Sequence, residues 1–434
     1  MLIDTPLRLG SAGPDVELLQ LGLYRCGYLR ERPDGIFGNM TRSALLAFQK
    51  SYGLVADAVA GPMVFRAISP YLYGYFRHRI IPGDTLYKIA DNNGIELSIL
   101  ETANPSVDAL DLRPGEFLTV PFSFEVVPDS IKTTSKVLEI CLTGLKARYP
   151  FLREEMVGRS VMGNPIRAVT IGEGTNEVFY NASHHANEWI TSLLLLRFLE
   201  RYASAYALGS RIAEERAAVL YSSTKLLMIP MVNPDGVDLV TGALDEGRYY
   251  RSAAGIASDY PSIPFPDGWK ANIAGVDPNL QYPAGWEQAR KIKYAQGYTS
   301  PAPRDFVGPG PLTAPESLAV YSLTNNHDFM LTISYHSQGE VIYWTYNETA
   351  PPASEEIVRE FSRLSGYAAE ITPPGSDNAG YKDWFISTYN RPGFTVEVGT
   401  GRSPLPLTQF NEIWRDNLGI LVHGMTAAAQ ILTK

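Results

Sequence analysis

Two stretches near the start of the chain carry apolar residues at helical spacing, and a turn at Asp34 and Gly35 separates them. This spacing puts the apolar side chains of each stretch on one helix face, where they can form a shared core. The unit, residues 1–72, is too short for the core of an enzyme, so we predict a small helical domain. The apolar positions are Val16, Leu19, Leu23, Ala44, Leu45 and Phe48.

The next block, residues 75–122, alternates between strand-like and helix-like patterns. A turn at Pro82 and Gly83 follows the first strand, and either Asp84 or Thr85 can cap the helix that begins there. The block therefore predicts a βααβ unit. We expect strands at 78–81 and 117–120 and a second helix at 97–103.

Residues 130–434 alternate helical stretches with apolar runs such as 225–232 and 329–335. Alternation of this kind is typical of an α/β domain, and we predict a mixed sheet flanked by helices. An insertion at 242–311 is rich in Pro, Gly and Tyr, and we expect it to form loops rather than core. Long loops often frame a binding cleft.

Composition narrows the partners and the compartment. The formal net charge is −9 and the pI is near 5.3, so the basic surface that binds nucleic acid is not expected. Cys26 and Cys141 lie far apart in the sequence, and we expect two free thiols. No long apolar run or signal-like start occurs, so we expect no membrane partner, no signal peptide and synthesis in the cytoplasm.

A candidate metal site begins where an apolar strand gives way to a helix. His185 and Glu188 lie three residues apart there, and His336 ends a strongly apolar run about 150 residues later. Two imidazoles and one carboxylate form a His2Glu set, which is a donor set of catalytic zinc sites. The neighbouring His184 could replace His185 as a ligand, although a structural position beside the metal is the alternative for it.

Each of the two small units carries short motifs of its own. The first carries D-G-I-F-G from Asp34 and A-F-Q-K from Ala47, and it resembles the three-helix peptidoglycan-binding domains. The second carries P-G-D-T-L from Pro82 and L-R-P-G-E-F from Leu112, and it resembles LysM domains, which bind glycans that contain N-acetylglucosamine. We predict the glycan-contact loop of the second unit at Gly83, Asp84, Thr85 and Leu86.

Five short motifs follow one another along the third unit: H-A-N-E-W, N-P-D-G, D-P-N, Y-H-S-Q and T-V-E-V-G. In sequence and in order they resemble those of the zinc metallocarboxypeptidases. The resemblance implies one zinc ion per catalytic domain, held by His185, Glu188 and His336, with Glu397 as the general acid and base. A buried carboxylate in an apolar strand is costly, which by itself favours a functional partner such as the metal.

The resemblance also implies a cation that stabilises the oxyanion formed during hydrolysis. The family places an arginine at the position that Lys270 occupies here, so Lys270 is the candidate. Arg248 or Arg251 could take its place.

One departure from the family pattern bears on the substrate. Asn279 is present, but the arginine that clamps a substrate's C-terminal carboxylate is replaced by Leu280. Leucine cannot supply the paired N–H donors of a guanidinium. Bacterial relatives with this change and with wall-binding modules resemble γ-D-glutamyl-diaminopimelate endopeptidases, which cut between D-Glu and the diamino acid.

Further substrate contacts follow from the resemblance. Lys382 falls where the family sets side-chain specificity, and its ammonium could pair with a carboxylate of D-Glu or meso-diaminopimelate. Tyr381 is the candidate for the family's mobile tyrosine, and Ser337, beside His336, is expected to contact substrate. Arg391 and Arg402 are further cations that could reach substrate carboxylates.

Together these patterns predict a zinc endopeptidase of peptidoglycan stem peptides or muropeptides, targeted by its glycan-binding modules. Two alternatives stay open: a metallocarboxypeptidase that trims peptide C-termini, and a wall-binding protein without activity. We expect the enzyme to act on wall or spore peptidoglycan or on imported wall fragments.

Overall fold

The computed structural model describes residues 3, 5–373 and 375–431. The chain divides into two compact units. The first contains the described residues up to Lys132 together with Lys136–Leu152 and Glu200–Gly209. The second contains Thr133–Ser135, Arg153–Leu199 and the described residues from Ser210 onward.

The first unit begins with the three predicted helices. The amide of Gln20 is buried between them, where it donates to Asp34 and Thr41 and accepts from the backbone N–H groups of Asp34 and Gly35. This amide fixes the predicted turn against the first helix. The helices are α1 (Pro14–Arg25), α2 (Asn39–Ser51) and α3 (Pro62–Tyr73).

The βααβ order predicted for the next block is confirmed. Its strands pair antiparallel, and the buried Asn104 amide bonds to both the N–H and the C=O of Thr119 in the second strand. The elements are β1 (Tyr75–Arg79), α4 (Leu86–Asn92), α5 (Leu97–Ala103) and β2 (Phe117–Pro121).

Buried charges hold the segment that follows β2. The carboxylate of Glu200 accepts the N–H groups of Val126 and Val127 at 2.6 and 2.9 Å. The guanidinium of Arg148 donates to the carbonyls of Phe122 and Phe124. Because these backbone groups are bonded by charged partners, the segment is a fixed part of the first unit rather than a free linker.

The second unit is built on an eight-stranded mixed sheet with the order β11-β10-β12-β9-β5-β8-β4-β3, and β6 and β7 form a separate hairpin. This confirms the predicted α/β class. The strands are β3 (Arg153–Arg159), β4 (Pro165–Ile171), β5 (Asn176–Ala182), β6 (Arg211–Ile212), β7 (Glu215–Arg216), β8 (Thr224–Ile229), β9 (Phe329–His336), β10 (Val341–Tyr343), β11 (Ala368–Glu370) and β12 (Gly393–Glu397).

The middle of the sheet brings three strand ends to one edge. Strands β12, β9 and β5 are parallel neighbours, with Glu397 in register with His336 and Tyr335 in register with Ala182. Carboxyl ends of adjacent parallel strands form the usual binding edge of an open α/β sheet. The residues at the end of these strands are therefore the first place to look for chemistry.

Helices from residue 135 onward complete the chain, and none of the described helices is long and apolar enough to cross a membrane. The expectation of a loop-only insertion at 242–311 is wrong, because α10 and α11 lie inside it and Trp269, Tyr282 and Trp286 are buried there. The helices are α6 (Ser135–Arg148), α7 (Ile190–Ala207), α8 (Ala217–Ser223), α9 (Pro234–Thr241), α10 (Gly247–Ser258), α11 (Trp286–Ala295), α12 (Pro315–Asn325), α13 (Ser354–Ser365), α14 (Tyr381–Tyr389) and α15 (Phe410–Ile431).

Candidate metal centre and substrate cleft

Three side chains converge at the carboxyl edge of the sheet. His185 follows β5, Glu188 closes the short 3-10 helix Ala186–Glu188, and His336 is the last residue of β9. One ligand atom from each lies within 4.8 Å of the other two. The strand ends and one helical turn thus bring residues from distant parts of the sequence to a single point.

The distances within the set are those of groups that face a common centre. Nδ1 of His185 lies 3.0 Å from Oε1 of Glu188, and Nδ1 of His336 lies 3.0 Å from Oε2. The two imidazole Nδ1 atoms are 3.2 Å apart. Glu188 and His336 are almost completely buried, so the donors point inward rather than into solvent.

This donor set fits zinc. Two nitrogens and a carboxylate oxygen match the protein ligands of a catalytic zinc site, which keeps one position open. Burial opposes protonation of His185, yet the Glu188 carboxylate raises its pKa to about 9, so the set attracts positive charge strongly. Sequence reasoning did not assign Asp277, whose Oδ1 lies 3.3 Å from Nε2 of His185. Because Nε2 of His185 faces this carboxylate, Nδ1 is the nitrogen that remains to bind a metal.

His184 lies beside the set rather than in it. Its Nε2 is 2.9 Å from the hydroxyl of Tyr282, and its ring stacks on His336 with centroids 5.9 Å apart. Burial lowers the pKa of His184 well below the usual value, so its ring is neutral. The alternative in which His184 is a ligand finds no support in this geometry, and a packing role beside His336 fits it better.

Glu397 ends β12 next to His336. Burial raises its pKa, although the nearby His336 opposes that shift. A carboxylate with a raised pKa at the mouth of the site is better suited to take up a proton near neutral pH than an ordinary glutamate.

Lys270 is close to both acids of the centre. Its ammonium lies 2.8 Å from Oε1 of Glu188, and its side chain is mostly buried. Burial would lower the pKa of Lys270, but Glu188 and Glu397 raise it, so the side chain stays charged. Its alternatives, Arg248 and Arg251, are exposed on α10 and line neither of the two cavities that Lys270 borders.

Two cavities open on either side of Lys270 and Glu397. The smaller, about 290 Å³, extends past Asn279 to α14, and the larger, about 790 Å³, extends past Ser337. Both are lined by Lys270, Arg304, Asp305, Tyr343 and Glu397.

A profile of the zinc carboxypeptidase family matches residues 138–419, which is more than half of the chain. The chain belongs to the zinc carboxypeptidase family. Profiles of a peptidoglycan binding domain and of a LysM domain match residues 12–68 and 78–121. The boundaries drawn from the sequence, 1–72, 75–122 and 130–434, stay predictions.

Relatives and solved structures agree with this family. Gamma-D-glutamyl-L-diamino acid endopeptidase 1 of Lysinibacillus sphaericus is 41% identical over 65% of this chain and 69% of its own length. Protein YqgT of Bacillus subtilis is 39% identical over 63% of this chain and 72% of its own length. Carboxypeptidase A from Helicoverpa armigera shares the fold with a TM-score of 0.53 at 17% identity, covering 80% of this chain and 81% of that one.

The position of the family's carboxylate clamp is apolar here. Leu280 packs against Trp286, Ala289, Val307 and Ala379 at the wall of the smaller cavity. The amide oxygen of Asn279 accepts the N–H of Tyr381, which ties the start of α14 to this wall. The wall therefore offers no guanidinium to a C-terminal carboxylate at this position.

The ammonium of Lys382, which was predicted to contact a substrate carboxylate, is bonded to other groups of the protein. The ammonium donates to the Thr345 carbonyl and to Asp383 at 2.5 Å each and to the Thr372 hydroxyl at 3.2 Å. An ammonium has three N–H donors, so none is left for substrate. Lys382 is buried, and its role in this geometry is to neutralise Asp383 in the cavity wall.

Two other predicted contacts face away from the centre. Tyr381 is fully buried, and its hydroxyl lies 3.1 Å from the hydroxyl of Thr324, so it would have to leave the core to reach substrate. Ser337 lines the larger cavity, but its hydroxyl is buried and lies 2.8 Å from that of Ser403. Tyr343, which sequence reasoning missed, lies opposite Thr395 on β10 and lines both cavities.

The remaining predicted cations differ in position. Arg391 bonds to Asp328 and to the carbonyl of Phe329, at the start of β9, which is the end of the strand away from His336. Arg402 is exposed and lines the larger cavity. Arg304 also lines both cavities, and no motif indicated it, because it lies in the insertion that was predicted to form loops.

The predicted glycan loop of the LysM domain is only partly at the surface. Leu86 is buried in the core of the domain, so its side chain is not a glycan contact. Thr85 caps α4 by accepting the N–H of Lys88, while Asp84 accepts the N–H of Ile81 and pairs with a histidine side chain. Gly83 and Thr85 are exposed.

Proposed function

We propose that this enzyme hydrolyses the bond between γ-D-glutamate and the diamino acid, meso-diaminopimelate, in peptidoglycan stem peptides. The observation that carries the proposal is the pair of cavities that meet at Lys270 and Glu397. An endopeptidase must hold chain on both sides of the scissile bond. The name of the 41% identical relative, a gamma-D-glutamyl-L-diamino acid endopeptidase, supports the same substrate.

The wall at Leu280 supports cleavage within a chain. A carboxypeptidase needs a charged partner for the free C-terminus of its substrate, and the guanidinium that would supply it is replaced by a leucine packed among apolar side chains. The smaller cavity can therefore accept a residue whose carboxyl group continues into a peptide bond. Trimming of C-termini is the second candidate function, which the experiment below separates.

The protein's own residues supply positioning and proton transfer. His185, Glu188 and His336 would hold one zinc ion, with Asp277 orienting His185. The chemistry that zinc supplies when bound is Lewis acidity, which polarises the scissile carbonyl and makes water a stronger acid.

Glu397 and Lys270 complete the site in this proposal. Glu397 takes a proton from the attacking water and returns it to the leaving amine. Lys270, fixed beside the ligand set, places a positive charge where the oxyanion develops. Tyr343, at the junction of the cavities, is positioned to contact the substrate.

The N-terminal modules are proposed to deliver this site to its substrate. A peptidoglycan binding domain and a LysM domain on one chain would hold glycan that contains N-acetylglucosamine, and a tethered site gains effective concentration without new contacts. We propose that the enzyme meets wall or spore peptidoglycan or muropeptides, and that Gly83 and Thr85 are in the glycan contact.

The test is cleavage of the tetrapeptide L-Ala-γ-D-Glu-meso-diaminopimelyl-D-Ala, with its C-terminus free or amidated, followed by mass spectrometry. We expect release of L-Ala-D-Glu from both forms, loss of activity with a chelator and recovery with zinc. Removal of D-Ala from the free form alone would identify a carboxypeptidase. A protein that binds zinc and glycan but cuts neither peptide would contradict an enzymatic role.

A further inference from the structure

Arg304 lies at the junction of the two cavities, and only part of its guanidinium is bonded within the protein. Its Nε donates to Oδ2 of Asp305 at 2.6 Å. Among the residues that the structure describes, its two terminal nitrogens have no hydrogen-bond partner. The side chain is 42% exposed, so these donors are open to a ligand in the cleft.

Hydrogen bonds connect Asp305, the neighbour of Arg304, with the candidate metal ligands. Asp305 has a left-handed backbone with φ of 67°, which is uncommon for a residue with a side chain. In this conformation its N–H donates to Oδ2 of Asp277, and Oδ1 of Asp277 contacts His185. Lys293 binds the other oxygen of the Asp305 carboxylate at 2.5 Å. These bonds fix the backbone next to Arg304 relative to His185, one of the proposed zinc ligands.

A γ-linked D-glutamyl residue carries a free carboxylate close to the scissile bond. Because its side-chain carboxyl forms the scissile amide, its α-carboxylate stays ionised, and only a short aliphatic segment separates it from the reacting carbonyl. An ordinary α-linked peptide has no such charge at that place. Two parallel N–H donors of a guanidinium are the strongest protein partner for a carboxylate.

We propose that Arg304 binds the free α-carboxylate of the γ-D-glutamyl residue and so determines the selectivity of the enzyme for γ-linked substrates. The inference rests on the proposed function, because it assigns a residue to that substrate. The lysines are less suited: Lys382 has no donor left, and the ammonium groups of Lys293 and Lys270 lack the planar pair of N–H donors that a guanidinium keeps.

The experiment compares two tetrapeptides that differ at one group. One carries the D-Glu α-carboxylate, and the other carries D-isoglutamine, in which that carboxylate is a neutral amide. For the zinc-loaded wild-type enzyme we expect kcat/KM to be higher for the carboxylate peptide. In Arg304→Gln we expect a loss on the order of 100-fold for the carboxylate peptide and little change for the amide peptide, so that the preference disappears. Arg304→Lys, which keeps the charge but not the paired donors, should fall between them.

Two controls keep the outcomes separate. Arg402→Gln removes another cation of the larger cavity, and zinc content with thermal unfolding reports whether each variant folds and loads. If Arg304→Gln loses both peptides equally, or if Arg402→Gln abolishes the preference instead, the role of Arg304 is overturned while the proposed function stands. If the wild-type enzyme cuts neither peptide, the proposed function fails and the inference falls with it.

Discussion

The metal centre and the walls of the cleft are neighbours in the structure, but the sequence predicted the first better than the second. His185, Glu188 and His336 converge as their motifs predicted. In the walls, the ammonium of Lys382 is bonded entirely within the protein, although its motif predicted a substrate contact. Arg304, which no motif indicated, pairs with Asp305 through Nε and keeps two terminal nitrogens without a partner among the described residues.

The difference follows from what positions each group. Of the candidate ligands, His336 ends β9, and His185 and Glu188 lie in the short segment that follows its parallel neighbour β5, so the buried sheet leaves them little freedom. The wall residues lie on α14 and on loops of the insertion, so their role depends on neighbours contributed by distant segments. A motif indicates where the backbone goes, but not which partner has already taken a side chain's hydrogen bonds.

The largest expected effect tests the first half of this comparison. Replacing Glu397 with Gln keeps the shape at the end of β12 but removes the proton acceptor, and we expect kcat/KM to fall on the order of 1,000-fold. Steady-state kinetics on the amidated tetrapeptide measures the loss. Zinc content should stay at the wild-type level, and Glu360→Gln on the surface of α13 is the matched control. Activity within about tenfold of wild type would remove Glu397 from proton transfer.

Lys270 is expected to give the next largest effect. Lys270→Met keeps most of the apolar stem and removes the charge, and we expect kcat to fall about 100-fold while KM changes little, since the oxyanion exists only in the transition state. Lys270→Arg should recover part of the activity. A rise in KM with unchanged kcat would show that Lys270 binds substrate in its ground state instead.

Lys382 tests the second half of the comparison. Lys382→Met leaves the Asp383 carboxylate buried without its cation, and we expect the free energy of unfolding to fall by about 3 to 5 kcal/mol. Denaturant titration measures this loss, and Asp383→Asn in the same chain should recover part of it. If the stability is unchanged and the substrate preference changes instead, Lys382 contacts the substrate, as the family resemblance implied.

Sequence patterns predicted most of the elements and the convergence of His185, Glu188 and His336, but not the insertion or the walls of the cleft. The βααβ order of the second module, the strands that end at His336 and Glu397, and the mixed sheet all appear in the structure. The helices of the insertion were not predicted because the segment is rich in Pro, Gly and Tyr, although Trp269 and Trp286 are buried there. Asp277 could have been assigned from the D-P-N motif, since a ligand histidine commonly has a carboxylate partner.

Tyr381 and Leu86 show the limit of motif reasoning. Each lies beside residues that face the surface or the cleft, but each side chain points into a core. Neighbouring residues of a helix point in different directions, so one can face the cleft or the surface while the next packs into the core. Only the folded structure shows which residue does which.

The smallest and most specific expected effect concerns Glu316, a buried carboxyl that pairs with no cation among the residues the structure describes. Glu316 on α12 accepts the N–H of Val161 and the amide of Asn272, and burial raises its pKa to about 7 from a usual value of 4.5. Between these pH values the folded protein binds more protons than the unfolded chain. The stabilisation is complete below about pH 4.5 and is lost as pH rises to about 7, with a slope of up to about 1.4 kcal/mol per pH unit.

Glu316→Gln removes this titration, so the free energy of unfolding of the wild-type protein minus that of the variant should fall as pH rises from 5 to 7. Denaturant titrations with a chelator present keep zinc release out of the measurement, and the difference between the two proteins cancels the other titrating groups. A parallel pH dependence in both proteins would mean that Glu316 is ionised in the fold. The Glu188 carboxylate stays charged because Lys270 and His185 face it, whereas the donors to Glu316 within the described part of the chain are neutral, and that contrast sets the expected sign.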